Sequence, residues 1–164
     1  MLSFRNGAGH SFRLEVVRYQ YPDAEQLALS YLDMNWLLVR IIARDSVGEW
    51  SAQDPCMTTR ELADLAGWLE SLSRGMKQHN HCAFREPCIC FALRGMTSAD
   101  AAVAVQVDYD LRPPWRPRIN PRQQAVTLDF RLAREEACVA ASSVRGMVAR
   151  FPERTETWFD TRKG

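Results

Sequence analysis

Only two stretches of this chain carry apolar residues at helical spacing, and most of the rest alternates in steps of two. That mixture limits the fold more than any other feature. The first helix opens at Thr58-Thr59-Arg60-Glu61, where a threonine hydroxyl can accept from a first-turn amide and the glutamate can reach back to the cap. Leu62, Leu65, Ala66, Leu69 and Leu72 then share one face, and Gly75 supplies the stop. The second helix runs from about Arg134 to Arg150, with Ala137, Ala140, Ala141, Val144, Met147 and Val148 as its stripe. Glu135 and Glu136 sit where the helix dipole favours acids, and Pro152 closes the run.

The remaining segments read as strands. Ser11 to Tyr19 alternates and ends at Tyr21-Pro22-Asp23. Trp36 to Arg44 is apolar nearly throughout, which predicts a strand covered on both faces with Trp36 in the core. Ser46-Val47-Gly48 turns it back into a short arm at Glu49 to Ala52. Ala83 to Leu93, Ala102 to Leu111 and Gln124 to Leu132 follow as three more strands, the last two with one polar face. Ala24 to Leu32 reads equally as a helical turn or a strand. Strands and helices do not alternate strictly, so the expected class is α+β: a mainly antiparallel sheet, flat or curled, with two amphipathic helices packed on it. No internal repeat shows. One domain over residues 1–164 is expected, with residues 1–10 and 153–164 as flexible ends.

Charge and cysteine content narrow the function classes. A net charge of +1 supplies no overall field to draw in nucleic acid or an acidic membrane. The longest apolar run falls far short of the ~20 residues of a membrane span, and the first residues lack a signal-peptide core, which points to a cytoplasmic protein. Five cysteines without a C-x-x-C spacing read as reduced thiols.

Three constellations bear chemistry. His79, His81, Cys82 and Cys88 have ligand side chains, yet their spacing matches no standard zinc pattern, so no metal and no cofactor are expected; a small metal-dependent protein or enzyme using them, or a nucleic-acid binder through the loop from Arg112 to Arg122, is the alternative. The segment Arg112-Pro113-Pro114-Trp115-Arg116-Pro117-Arg118-Ile119-Asn120-Pro121-Arg122 combines arginines with one tryptophan. Single-stranded nucleic acid is bound by such residues, and so are protein partners, whose hot spots are rich in both. The acids Asp33, Asp45, Glu49 and Asp54 precede Asp108, Asp110 and Asp129, which the alternation places on outward strand faces. Solvated strand positions account for such acids without catalysis, and an acidic face is also a docking surface. No phosphate loop, nucleophile elbow or zinc-helix motif occurs.

One succession of residues is familiar. Leu32-Asp33-Met34-Asn35-Trp36-Leu37 leads a strand, Trp50 follows, and Thr58-Thr59-Arg60-Glu61-Leu62 opens a helix. Phe84-Arg85-Glu86-Pro87 comes next, and then a late alternating strand feeding a final helix. From Asp33 to Phe151 this resembles the WapI-type immunity proteins of bacteria. The resemblance implies direct binding and neutralisation of a cognate toxin domain, often a nuclease. The chain departs from the acidic balance common among nuclease inhibitors, which leaves the partner's activity open. The expectation is a non-catalytic protein-binding module that acts by occlusion. Its contacts are expected from Asp108, Asp110 and Asp129 with Arg112, Trp115, Arg116 and Arg118, and neither a membrane nor nucleic acid is the expected partner.

Overall fold

The computed structural model describes residues 1–23, 29–116 and 125–155. Strands β1 (Leu2–Arg5), β2 (Ser11–Tyr19), β3 (Trp36–Arg44) and β4 (Glu49–Thr58) form one antiparallel sheet in chain order, with a helical turn, α1 (Tyr31–Met34), before β3. Helix α2 (Thr59–Ser73) follows β4 without a break. A second antiparallel sheet, again in chain order, contains β5 (His81–Ala83), β6 (Ile89–Met96), β7 (Asp100–Val107) and β8 (Val126–Ala133), and β8 runs directly into α3 (Arg134–Arg150). The α+β class and both amphipathic helices are as the sequence predicts. Neither sheet closes on itself.

The inner faces of the sheets meet through aromatic rings. Phe4 of β1 lies 5.5 Å from Phe130 of β8, and Phe12 of β2 lies 5.9 Å from Phe91 of β6, centroid to centroid. Both sheets and both long helices contribute to one buried hydrophobic cluster. Helix α3 packs on β1 and β8, whereas α2 packs on β4 and β5.

The two halves follow the same plan, a four-strand meander feeding a helix, although no repeat is visible in the residues. Leu62 and Ala137, Leu65 and Ala140, Ala66 and Ala141, Leu69 and Val144, and Leu72 and Met147 each stand 75 positions apart, and all are buried. Glu61 and Glu136 keep the same offset, each carboxylate accepting from its cap amide at 2.8 Å. Glu70 and Arg145 keep it too, and they touch one another: Arg145 donates to both carboxylate oxygens, at 2.7 and 3.0 Å. Equivalent positions that meet must lie near an approximate two-fold axis, where identical charged residues would repel. The halves therefore have to differ at that point.

Several segments depart from the sequence reading. Residues 2–5, within the end expected to fray, form β1, and Leu2 and Phe4 are buried. In β3 one face is buried (Leu37, Val39, Ile41, Ala43), while Trp36, Leu38 and Ile42 are half-buried on the other, so Trp36 is not core. The arm after the β3 turn extends to Thr58. The strand expected over Ala83 to Leu93 is broken in two. Pro87 has no amide to donate, and the Arg85 amide donates instead to Glu61 at 2.6 Å, so residues 84–88 leave the ladder. Residues 24–28 of the ambiguous stretch lie outside the described residues, and Tyr31–Met34 is helical.

Asn35 is a buried polar hub. Its Nδ2 donates to the Tyr31 and Arg154 carbonyls, both at 2.9 Å, and its Oδ1 accepts from the Arg154 amide at 2.7 Å and the Thr59 hydroxyl at 3.1 Å. One amide group thus ties α1, the start of α2 and the segment after α3 together. Removing it leaves buried groups without partners, at about 1–3 kcal/mol. Asn35→Ala is expected to lose that much in a urea titration, and a loss under about 0.5 kcal/mol would contradict the hub.

Candidate protein-binding surface

The chain leaving β7 builds a corner against the β3–β4 hairpin. Asp108 accepts from the Tyr109 amide at 2.7 Å, and its own amide donates to the Cys88 carbonyl at 2.8 Å. The second bond prolongs the β6–β7 register by one step, and the first caps the 3₁₀ turn that follows at Tyr109–Leu111. Asp108 and Asp110 therefore stand on a turn and not on an outward strand face, contrary to the alternation. Tyr109 holds φ at +50°, the left-handed region, and is the single non-glycine residue with positive φ among the described residues. Its ring is 54% exposed.

The turn is docked from below. Trp50, buried at the start of β4, donates its indole N–H to the Leu111 carbonyl at 2.9 Å. Trp115 stands edge-on to the Trp50 ring, with centroids 5.7 Å apart, and remains 36% exposed. Its ring also lies over Gly48 in the hairpin turn, where a Cβ would come within 3.3 Å of it. A side chain there would push the tryptophan away. Arg112 is a brace: its Nε donates to the Tyr109 carbonyl at 2.9 Å and sits 3.4 Å from the Asp108 carboxylate.

Acids converge beside this turn. The carboxyl of Asp54, on β4, is pushed up first by burial and then by the negative charge of Asp110, with Glu86 adding to it and a hydrogen bond from Cys88 opposing. At neutral pH an ionised Asp54 therefore costs the folded state stability. Because the folded value exceeds the ordinary 3.8, that cost fades as pH falls through the native value and is gone below the unfolded one. Asp54→Asn is expected to raise Tm slightly at pH 7, by about 1–2 °C, with the gain shrinking toward pH 4. Thermal melts across that range check it. A lower Tm at pH 7 would show that the carboxylate stabilises.

Among the expected contact residues, Asp108, Asp110, Arg112 and Trp115 come together here, and Arg116 follows Trp115 on the exposed side. Asp129 does not join them. It points outward on β8 opposite Ala104, three residues along the strand from the Val107–Val126 pair, or about 10 Å. Arg118 lies outside the described residues. Sequence reasoning missed Tyr109, Glu86 and the pairing of Asp54 with Asp110. Only Tyr109 carried a local signal, a turn-prone Asp on either side of it.

The His/Cys group does not converge. His81 points out of β5 and Cys82 points in, so the two side chains occupy opposite faces. His79 accepts a hydrogen bond from Trp68 through its carbonyl, at 3.1 Å. Burial pushes the Cys82 thiol up to about 12, which keeps it protonated. Cys88 is buried beside the acidic corner, its thiol 4.0 Å from the Glu86 carbonyl. Among the described residues no group of three or more His, Cys, Asp or Glu side chains has a metal-holding arrangement. Two shallow grooves flank the helices, about 410 Å³ between β1 and α3 and about 650 Å³ between α2 and β5.

Two open antiparallel sheets, two helices and an aromatic turn set among acids define a small α+β protein that presents a surface at one corner. The chain belongs to the immunity protein WapI-like family, whose sequence profile matches residues 2–152. No curated protein and no solved structure matches the chain.

Proposed function

We propose that this protein neutralises a cognate toxin domain by binding over its working cleft, without catalysing a reaction itself, and that the corner around Tyr109, Asp110 and Trp115 supplies the contact. Family membership supports a toxin partner in general terms. One observation carries the choice of surface: a bulky aromatic held at a costly positive φ, exposed, beside an Asp54 carboxyl that burial and neighbouring acids make unfavourable to ionise. Backbone strain and crowded like charges reduce stability, and they gather where a surface is kept for binding. Exposed tyrosine and tryptophan provide anchors that lose little entropy on contact, and the acids favour a basic partner surface. A stable complex of this kind buries about 1,600 Å² in total.

Co-expression with the toxin domain encoded beside this chain tests the reading. Survival of the host and recovery of a one-to-one complex are expected. Undiminished toxicity with no complex formed would overturn it.

A further inference from the structure

The outer face of the first sheet, turned away from the core, gathers arginines. Alternation along the strands puts Arg5 of β1, Arg13 and Arg18 of β2, and Arg40 and Arg44 of β3 there, against two acids, Glu15 and Glu49. Glu15 pairs with Arg40, and Glu49 stands 3.6 Å from Arg44. Arg18 is engaged locally, donating to the Tyr19 and Gln20 carbonyls at 3.0 and 2.9 Å. Among the described residues neither Arg5 nor Arg13 has an ion pair. Apolar side chains stand between these charges: Ile42 lies opposite Arg13 and Leu38 opposite Arg18, both half-buried. Arg5, Arg44, Ser51 and Gln53 are exposed, so no described element lies over the centre of this face. Helix α3 reaches only its margin, where Met147 and Arg150 share a shallow groove with Glu15 and Arg40.

The net charge of +1 therefore hides a segregation. Carboxylates collect at the Tyr109 corner, on the inner side of β4 where Asp54 lies opposite Val39, and guanidiniums collect on the outer side of the same sheet. β4 is the edge strand, so Arg44 lies one strand in from the corner, Arg13 two and Arg5 three, a reach of about 15 Å at the usual strand spacing. A partner that covers about 800 Å² on this side of a complex is wide enough to continue from the corner round that edge.

We propose that this face, centred on Arg13, is a second contact surface, which takes an acidic patch of the toxin domain while the corner takes a basic one. This second surface rests on the toxin reading. Arginine forks match planar carboxylates two bonds at a time, and Ile42 and Leu38 give the contact a dry centre. A second copy of this chain does not fit face to face, because like charges would meet. Single-stranded nucleic acid fits less well, since it needs exposed rings among the arginines for base stacking. The one tryptophan here, Trp36, is half-buried at the far end opposite Thr58. Two patches of opposite sign also give specificity: a domain carrying only one of them would leave charges unpaired at the other.

The test follows association of the full chain with the purified toxin domain by stopped-flow fluorescence. The parent is compared with Arg13→Gln and with a triple variant carrying Arg5→Glu, Arg13→Glu and Arg44→Glu. At about 50 mM salt the triple variant is expected to associate at least ~10-fold more slowly, and Arg13→Gln roughly 2–3-fold. At about 500 mM salt the rates should converge. Melts of the free proteins should agree within about 2 °C, since the three positions lie on the solvated side of the sheet. Equal association rates for parent and variants, in a complex that does form, would overturn this surface and leave the corner in place. Absence of any complex with the parent would overturn the toxin reading and this surface together. Binding of a labelled single-stranded RNA of about 20 nucleotides by the parent, lost in the triple variant, would reassign the face to nucleic acid and overturn the acidic partner. Arg13→Gln, which removes a single charge, decides the matter if the triple variant does not fold.

Discussion

Phe91→Ala is expected to lose about 3–5 kcal/mol of stability, enough to leave a protein of this size partly unfolded at moderate temperature. The ring is fully buried on β6 and touches four other rings: Phe4 at 6.4 Å, Phe12 at 5.9 Å, Phe84 at 6.1 Å and Trp68 at 6.4 Å. Those partners come from β1, β2, the loop after β5, and α2. One side chain therefore joins the first sheet to the second and to the helix between them. Truncation removes its transfer energy and opens a cavity whose walls belong to four separate segments, and these cannot close in together. Chemical denaturation monitored by tryptophan fluorescence measures the effect: the midpoint should fall while the slope stays constant. A loss below about 1.5 kcal/mol would mean that the sheets are not joined through this ring. Phe91→Leu, which keeps most of the volume, should cost clearly less.

The elements with strong local codes were legible in the sequence, and those decided by tertiary contact were not. The capping box at Thr58-Thr59 and the leucine stripe after it mark the start of α2 to within one residue, because cap chemistry and a face of period 3.6 are both local. β1 was not legible. Four residues cannot show a period, and Leu2 and Phe4 are held because β2, α3 and the second sheet cover β1. The break between β5 and β6 depends on Glu61, 24 positions before Arg85, and no window around residue 85 contains that partner. The shared plan of the halves is invisible as identity because the helix faces keep only apolar character, with Leu, Ala, Val and Met exchanged freely. At the contact between Glu70 and Arg145 the partners must even be opposite in charge. The residues that suggested the family turn out to be joints. Asn35 is the polar hub, and Glu61 accepts from Thr58 and Arg85. The candidate surface lies elsewhere, in a turn where Trp115 stands out by residue type and Asp110 by an alternation that the 3₁₀ turn interrupts. Its third element, the strained backbone at Tyr109, arises from how the turn docks on Trp50, and no spacing announces it.

Tyr109→Gly should separate folding from binding. Glycine adopts a φ of +50° without the steric cost a tyrosine bears, so the variant is expected to be as stable as the parent or more stable by about 0.5–1 kcal/mol. The same change removes an exposed ring from the centre of the candidate surface. If that ring anchors the toxin, affinity should fall by about 2 kcal/mol or more, some 30-fold in Kd. Trp115→Ala should weaken binding comparably, but with some loss of stability, because its ring also packs edge-on against the buried Trp50. Asp129→Ala is the internal control: it lies on a different part of the second sheet and should change Kd by less than about twofold. Titration calorimetry of each variant with the purified toxin domain, beside thermal melts of the free proteins, reads both quantities. If Tyr109→Gly binds as tightly as the parent while Asp129→Ala does not, the contact lies along the outer face of β8 and the corner is only a strained connection. If Tyr109→Gly is clearly less stable, its ring supports the fold, and the positive φ is compensated by packing instead of being kept for a partner.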